Sequence, residues 1–236
     1  MASSRLPGKV LLPILGRPML EYLVERIRQV KEIDEVVIAT SVEPGCDAIE
    51  ALAKCLGVPC FRGSEEDVLQ RVIGAVQSAE GEVVIKATGD NPLIDPAIIS
   101  QVLQFFLKSR PDYCSTFLDQ RTLPWGMDVE IVTLEALVRS SVQSQEERHH
   151  EHPSLYIIEN RAVFDCRHFK AVETGPPSPA RLTVDTQEDY RLVSRIFEEL
   201  YPTDRAFSLK KIEGLVEKNP PLLEINRHVQ QRWPVQ

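Results

Sequence analysis

Three short stretches carry residue types suited to phosphate and metal chemistry. The first is Arg5-Leu6-Pro7-Gly8-Lys9. Gly8 lets the backbone pass close to a ligand, and the two flanking cations can bracket a polyphosphate. The spacing G-x-x-x-x-G-K-[ST] is absent, so this is not a Walker A loop, and an exposed basic loop is the alternative. The second is Gly89-Asp90-Asn91-Pro92-Leu93-Ile94-Asp95-Pro96, directly after the apolar run EVVIKAT. Ligand-binding groups of open α/β sheets gather beyond the carboxyl ends of strands. A carboxylate there can hold Mg²⁺, which takes one or two carboxylates together with phosphate oxygens. Asp90 suits that position, or a plain turn; Asp95, just before Pro96, suits a helix cap. The third is RLTVDTQED, from Arg181 to Asp189. Asp185 again sits between an apolar run and a helical pattern, so two aspartates from separate strands can share one metal, while Asp185 or Thr186 can equally serve as an N-cap.

Two further stretches are polar at informative spacing. In Trp125-Gly126-Met127-Asp128-Val129-Glu130-Ile131, alternation puts Asp128 and Glu130 on one face of a strand and the apolar residues on the other. That acidic face is either exposed to solvent or part of a polar pocket. In His149-His150-Glu151-His152 the i, i+4 histidine spacing of a helical zinc site is missing, which favours a solvated loop over a metal cluster. Hydrogen bonding to an anionic substrate is a separate option for these imidazoles.

The elements that must position these residues alternate through the first half. Helical spacing over 17–31, 47–56, 65–79 and 95–109 is interleaved with strand-like apolar runs over 35–40, 58–61 and 82–88. That rhythm predicts right-handed βαβ crossovers and a mostly parallel sheet covered on both faces. The second half is less regular. Residues 112–117, 127–132 and 181–184 read as strands, and 134–142, 186–200 and 208–218 as helices. Residues 145–153 read as a polar stretch and 175–179 as a loop. The expectation is a single α/β domain over 1–236 with an inserted antiparallel portion at 117–175.

The 236 residues suffice for a sizeable core, and their net charge of −8 argues against a protein held by a nucleic-acid backbone. No apolar run approaches the length of a membrane helix, and five cysteines without a CxxC pair read as reduced thiols of a cytoplasmic protein.

Taken in order, RLPGK, GDNPLIDP, G-x-DVE, EH and LTVDTQED resemble the cytidylyltransferases that activate sugar acids, such as CMP-KDO and CMP-sialate synthetases. The pattern is most similar to the spore coat polysaccharide biosynthesis protein F group, and it spans 5 to about 200. The resemblance implies a Rossmann-like nucleotidyltransferase fold, CTP as donor, a sugar acid or related sugar as acceptor, Mg²⁺ as cofactor and a homodimer. It implies that Arg5, Gly8 and Lys9 meet the CTP phosphates, that Arg71 in DVLQR touches the nucleotide, and that Asp90 and Asp185 hold Mg²⁺. Lys9, Asp90 and Asp185 are then the catalytic set. Asp128, Glu130, Glu151 and His152 are placed toward the acceptor sugar or a dimer contact. Family members start with a strand and an Arg, in a form like IIQARMGSTRLPGK; this chain starts at the Met of that segment, so a truncated first strand is expected. Two other readings follow from the same residues. A sugar-transferring enzyme would want a D-x-D pair where this chain has Asp90-Asn91, and an inactive nucleotide-binding module would follow from a missing central strand.

Overall fold

The computed structural model describes residues 5–171 and 180–231; the loop expected at 175–179 lies outside them. After a 3-10 turn at Lys9–Leu11, β1 (Pro13–Ile14) and β2 (Arg17–Pro18) form a small antiparallel ribbon. Then α1 (Met19–Ile27) buries Leu20, Leu23 and Val24, as their spacing requires. The alternation continues through β3 (Ile38–Ser41), α2 (Asp47–Leu56), β4 (Cys60–Gly63), α3 (Val68–Ser78), β5 (Val83–Ile85) and α4 (Pro96–Ser109). Asp67 caps α3 and Asp95 caps α4, each carboxylate accepting from an amide of the first turn. The second half holds β6 (Tyr113–Ser115), β7 (Glu130–Thr133), α5 (Leu134–Gln143), α6 (Glu147–Glu151), α7 (Leu155–Glu159), β8 (Cys166–His168), α8 (Gln187–Leu200), α9 (Leu209–Lys218) and α10 (Pro221–Glu224).

Two local expectations are corrected. Residues 181–184 form no strand, only a parallel bridge between Arg181 and Trp125, because their backbone bonds go to two different segments, Leu182 N–H to Trp125 C=O and Val184 N–H to Asp90 C=O, and build no continuous ladder. The stretch 145–153 is not a solvated loop. It contains α6, which forms because His149 is buried against Ser144 and Glu159.

The sheet is mixed. β3 pairs with β4 in parallel, whereas the four-stranded sheet runs β5-β7-β6-β8, with antiparallel β5–β7 and β6–β7 and parallel β6–β8. β3 and β5 do not pair with each other. Both border one cavity of about 1420 Å³, lined by consecutive residues over 34–40 and 79–89. A sheet face is lined by alternate residues, so consecutive lining means that the backbone edges face the space. This explains why the ladders are shorter than the apolar runs 35–40 and 82–88. Helices supply another part of the cavity wall through Leu23 and Val24 of α1, Val72 and Val76 of α3, and Leu103 of α4.

Two apolar clusters position the site. One joins α1, α4 and α8 to Met127, Val129 and Ile131; the other joins Leu69 and Ile73 of α3 to Tyr113, Val132, Leu137 and Phe164. Met127, Val129 and Ile131 are wholly buried, as the alternation requires.

The edge geometry is testable by amide exchange. Ile38 N–H donates to Pro59 and Lys86 N–H to Glu130, both at 2.9 Å, so the alternate amides of Ala39 and Ile85 turn toward the cavity. By NMR, Ala39 and Ile85 are expected to exchange markedly faster than Ile38 and Lys86. Equal protection of all four would contradict the open edges.

Candidate active site

The backbone of the basic pentapeptide bends sharply at Gly8, whose φ of 69° lies in the left-handed region. This turn starts the Lys9–Leu11 helix and lays it over the end of β5. A β-carbon on Gly89 would lie 2.9 Å from Val10 Cγ1, so the glycine before Asp90 permits that close approach. The turn after Gly89 is closed by Asn91 N–H to Thr88 C=O at 3.1 Å, and Asn91, not Asp90, supplies the side-chain bond to Thr88. The Asp90 carboxylate is therefore left to face Lys9.

Lys9 joins the two distant acidic motifs. Its ammonium donates to Asp90 Oδ2 at 2.9 Å and to Asp185 Oδ1 at 2.7 Å. The two carboxylate oxygens thus lie within 5.6 Å of each other, the sum of those contacts. Backbone bonding holds the same junction, since Val184 N–H donates to Asp90 C=O at 2.8 Å. Arg5 approaches the other oxygen of Asp185 at 3.1 Å. Burial works against charge on Lys9, but Asp90 and Asp185 outweigh it and hold the ammonium above the ordinary lysine value. Burial likewise opposes charge on Asp185, and Lys9 and Arg181 overcome it, so this carboxyl is held below the usual aspartate value.

Asp185 does not cap α8. Thr186 does, in a capping box with Asp189, which frees the Asp185 side chain. Asp189 is fully buried and accepts from four donors: the amides of Asp185 and Thr186 at 3.0 Å, Arg181 Nε at 3.0 Å and Asn226 Nδ2 at 2.8 Å. Arg181 spans Asp189 and Asp185 with one guanidinium. The sequence reading named Arg181 and Asp189 only as the ends of their motif, without a role, and did not name Asn226. The spacing of Arg181 before Asp185 and Asp189 was the available signal for the first two; Asn226 left none.

The other predicted residues fall in different places. Arg71 lines the large cavity, and its Nη1 donates to the carbonyls of Ser64 and Glu65. Asp128 and Glu130 both line the cavity, so the acidic face turns inward rather than to solvent. Glu130 is buried, takes the Lys86 ammonium at 2.5 Å and accepts the Tyr113 hydroxyl at 2.8 Å. His152 lines the same cavity, where burial lowers its basicity, and Glu151 stands at the rim, largely exposed. His149 is structural: its ring bonds Ser144 at 2.6 Å and Glu159 at 2.9 Å. His150 pairs with the α3 cap, Asp67, at 3.0 Å. The histidine-rich stretch is thus divided among three tasks, and among the described residues no group of three or more His, Cys, Asp or Glu converges on a metal position.

A two-carboxylate site of this kind suits Mg²⁺, which fills its remaining positions with phosphate oxygens and water. That a cation already lies between Asp90 and Asp185, as the Lys9 ammonium, shows that their placement suits positive charge. Together with Arg5, the site offers two acids for a cation and two bases for phosphates, at the end of β5.

The depressed Asp185 carboxyl has a consequence for stability. Its contribution is complete above the unfolded value of about 3.9 and is lost as pH falls through the lower folded value. Asp185→Asn is expected to be less stable than the parent by about 1–3 kcal/mol at neutral pH in denaturant unfolding. The gap should narrow below about pH 4; a constant gap throughout would refute the charge-based account.

The whole chain is similar to known proteins. The cytidylyltransferase family model matches residues 1–229. The spore coat polysaccharide biosynthesis protein SpsF of Bacillus subtilis is 36% identical over 225 residues, covering 93% of this chain and 92% of its own. The 8-amino-3,8-dideoxy-manno-octulosonate cytidylyltransferase of Shewanella amazonensis is 36% identical over 105 residues, 44% of this chain and 43% of its own. Among solved structures, a cytidylyltransferase from Leptospira borgpetersenii superposes with a TM-score of 0.88 at 31% identity, covering 99% of this chain and 95% of that one. The fold is therefore the α/β nucleotidyltransferase fold, and the chain belongs to the cytidylyltransferase family.

Proposed function

We propose that the chain transfers CMP from CTP to a sugar acid, or a related sugar, with release of pyrophosphate, in the synthesis of a surface polysaccharide. The observation that carries this reading is the meeting of Lys9 with Asp90 and Asp185, which brings the basic loop and both acidic motifs to one point. The polysaccharide assignment is supported by the similarity to SpsF, and the sugar-acid assignment by the octulosonate enzyme. Among the described residues no helix is long and apolar enough to cross a membrane. The reading includes action in the cytoplasm, where CTP is available, and assembly as a homodimer.

In the reaction, the acceptor hydroxyl oxygen bonds to the α-phosphorus of CTP as the bond to pyrophosphate breaks. Asp90 and Asp185 would hold Mg²⁺, which neutralises charge on the phosphate oxygens when bound. Arg5 and Lys9 receive the phosphate oxygens on the basic side, where charge accumulates as pyrophosphate leaves. Gly8 keeps that side open to close backbone approach. Arg181, anchored on Asp189, keeps Asp185 ionised and aimed at the junction. The alternative of sugar transfer from a nucleotide-sugar donor has no D-x-D pair to support it at Asp90.

Two measurements test the reading. CTP with Mg²⁺ is expected to raise the unfolding temperature, since a ligand at 100 times its Kd adds about 2.7 kcal/mol to the folded state. In a pyrophosphate-release assay with a panel of sugar acids, Asp90→Ala is expected to stay folded and lose at least about a hundredfold in turnover, the scale of removing one electrostatic group from a transition state. Parent-level turnover in that variant would remove Asp90 from the site.

A further inference from the structure

The wall of the large cavity beyond Lys86 carries a cation that the reaction as described does not use. Arg121 lies with its guanidinium 3.5 Å from the centre of the Trp125 ring and 5.4 Å from that of Phe117. It is ion-paired with Asp128. Arg121, Trp125, Phe117 and Asp128 all line the cavity, which also reaches Thr88 and Gly89 beside Asp90. The cluster is tied to the transfer site through the backbone. Leu182 N–H donates to Trp125 C=O at 2.7 Å, and two residues later Val184 N–H donates to Asp90 C=O.

We propose that Arg121, held over the Trp125 ring, is the anchor for a carboxylate on the acceptor, and that Asp128 holds the guanidinium in place until such an acceptor enters. The assignment rests on the reading of the chain as a CMP-transferring enzyme and names the acceptor group that this enzyme selects. Three observations carry it. A guanidinium held over an indole by a cation–π contact and by an ion pair is restrained, so a planar carboxylate meets its donors with little loss of side-chain freedom. The pair is also only half used on the acidic side: Asp128 Oδ1 is buried with no hydrogen-bond partner, whereas a buried carboxylate with a purely structural task is normally satisfied on both oxygens. Finally, the other cation of this wall, Lys86, is held by the buried Glu130, and burial keeps His152 weakly basic. Burial also raises the Asp128 carboxyl against the pull of Arg121, with nearby Glu130 adding to the rise, so the cost of displacing this carboxylate from the pair is reduced.

The test uses the full chain with CTP and Mg²⁺, and 3-deoxy-manno-octulosonate, N-acetylneuraminate and the carboxamide of each as probes. Nucleotide binding is measured first, by thermal shift with CTP alone, on the parent, Arg121→Gln and Asp128→Asn. Loss of CTP binding in the parent is a failure of the nucleotidyl-transfer reading, and not of Arg121. With CTP binding intact, the parent is expected to bind at least one acid at least tenfold more tightly than its amide. Arg121→Gln should bring that ratio to near one, and Arg121→Lys should restore part of it. Asp128→Asn should instead keep or increase the preference for the acid, because it removes the competing carboxylate. A merely structural ion pair predicts the same loss in both variants, since either one breaks it. No acid preferred over its amide by the parent, an unchanged ratio in Arg121→Gln, or parallel losses in Arg121→Gln and Asp128→Asn would each overturn the assignment.

Discussion

The site depends on one half-buried cation between two carboxylates. Asp90 and Asp185 reach the same point from different motifs, and two carboxylates within 5.6 Å of each other repel unless positive charge lies between them. The Lys9 ammonium supplies that charge. It also draws the basic loop onto the end of β5, so the contact that makes the carboxylates tolerable is the one that brings Arg5 and Lys9 to them.

Around this contact the chain has built a rigid support. Asp189 takes four hydrogen bonds inside the protein and fixes Arg181, which in turn holds Asp185. A buried charge with every bond satisfied orients its neighbours at little further cost, whereas one lacking partners is strongly destabilising. The capping box at Thr186 makes the same economy in the backbone. By satisfying the first turn of α8 itself, it leaves Asp185 free to serve the site.

The antiparallel β5-β7-β6 part of the sheet gives the cavity its chemical character. β7 and the segment before it turn Val129 and Ile131 into the core and Asp128 and Glu130 into the cavity. Each acid there meets a base, Arg121 or Lys86, so the wall is polar without a large net charge. A pocket of paired, oriented polar groups on an apolar floor suits a hydroxyl-rich ligand that must be held by direction as well as by area.

Much of this was legible in the residues. Helical periodicity marked the helices through 17–109 and at 186–200, and Asp95 before Pro96 was readable as a cap because capping is local. That Asp128 and Glu130 share one face followed from a period of two, although whether that face meets solvent or a pocket did not, and the positions of Asp90 and Asp185 after apolar runs marked them as site candidates. Sequence periodicity did not reveal that EVVIAT and EVVIKAT border a cavity without pairing with each other, because an apolar run looks the same whether one edge or both have a partner. It also read the histidines as one stretch, although burial sends His149 to Ser144 and Glu159, and His150 to Asp67.

What the chain determined by itself, then, is which residues carry charge and on which side of each element they stand, because caps and alternation depend only on near neighbours. Which charges from distant segments meet was decided by tertiary structure alone. Lys9 is 81 residues from Asp90 and 176 from Asp185, and a contact across such separations exists only when the packing of the core brings the three together.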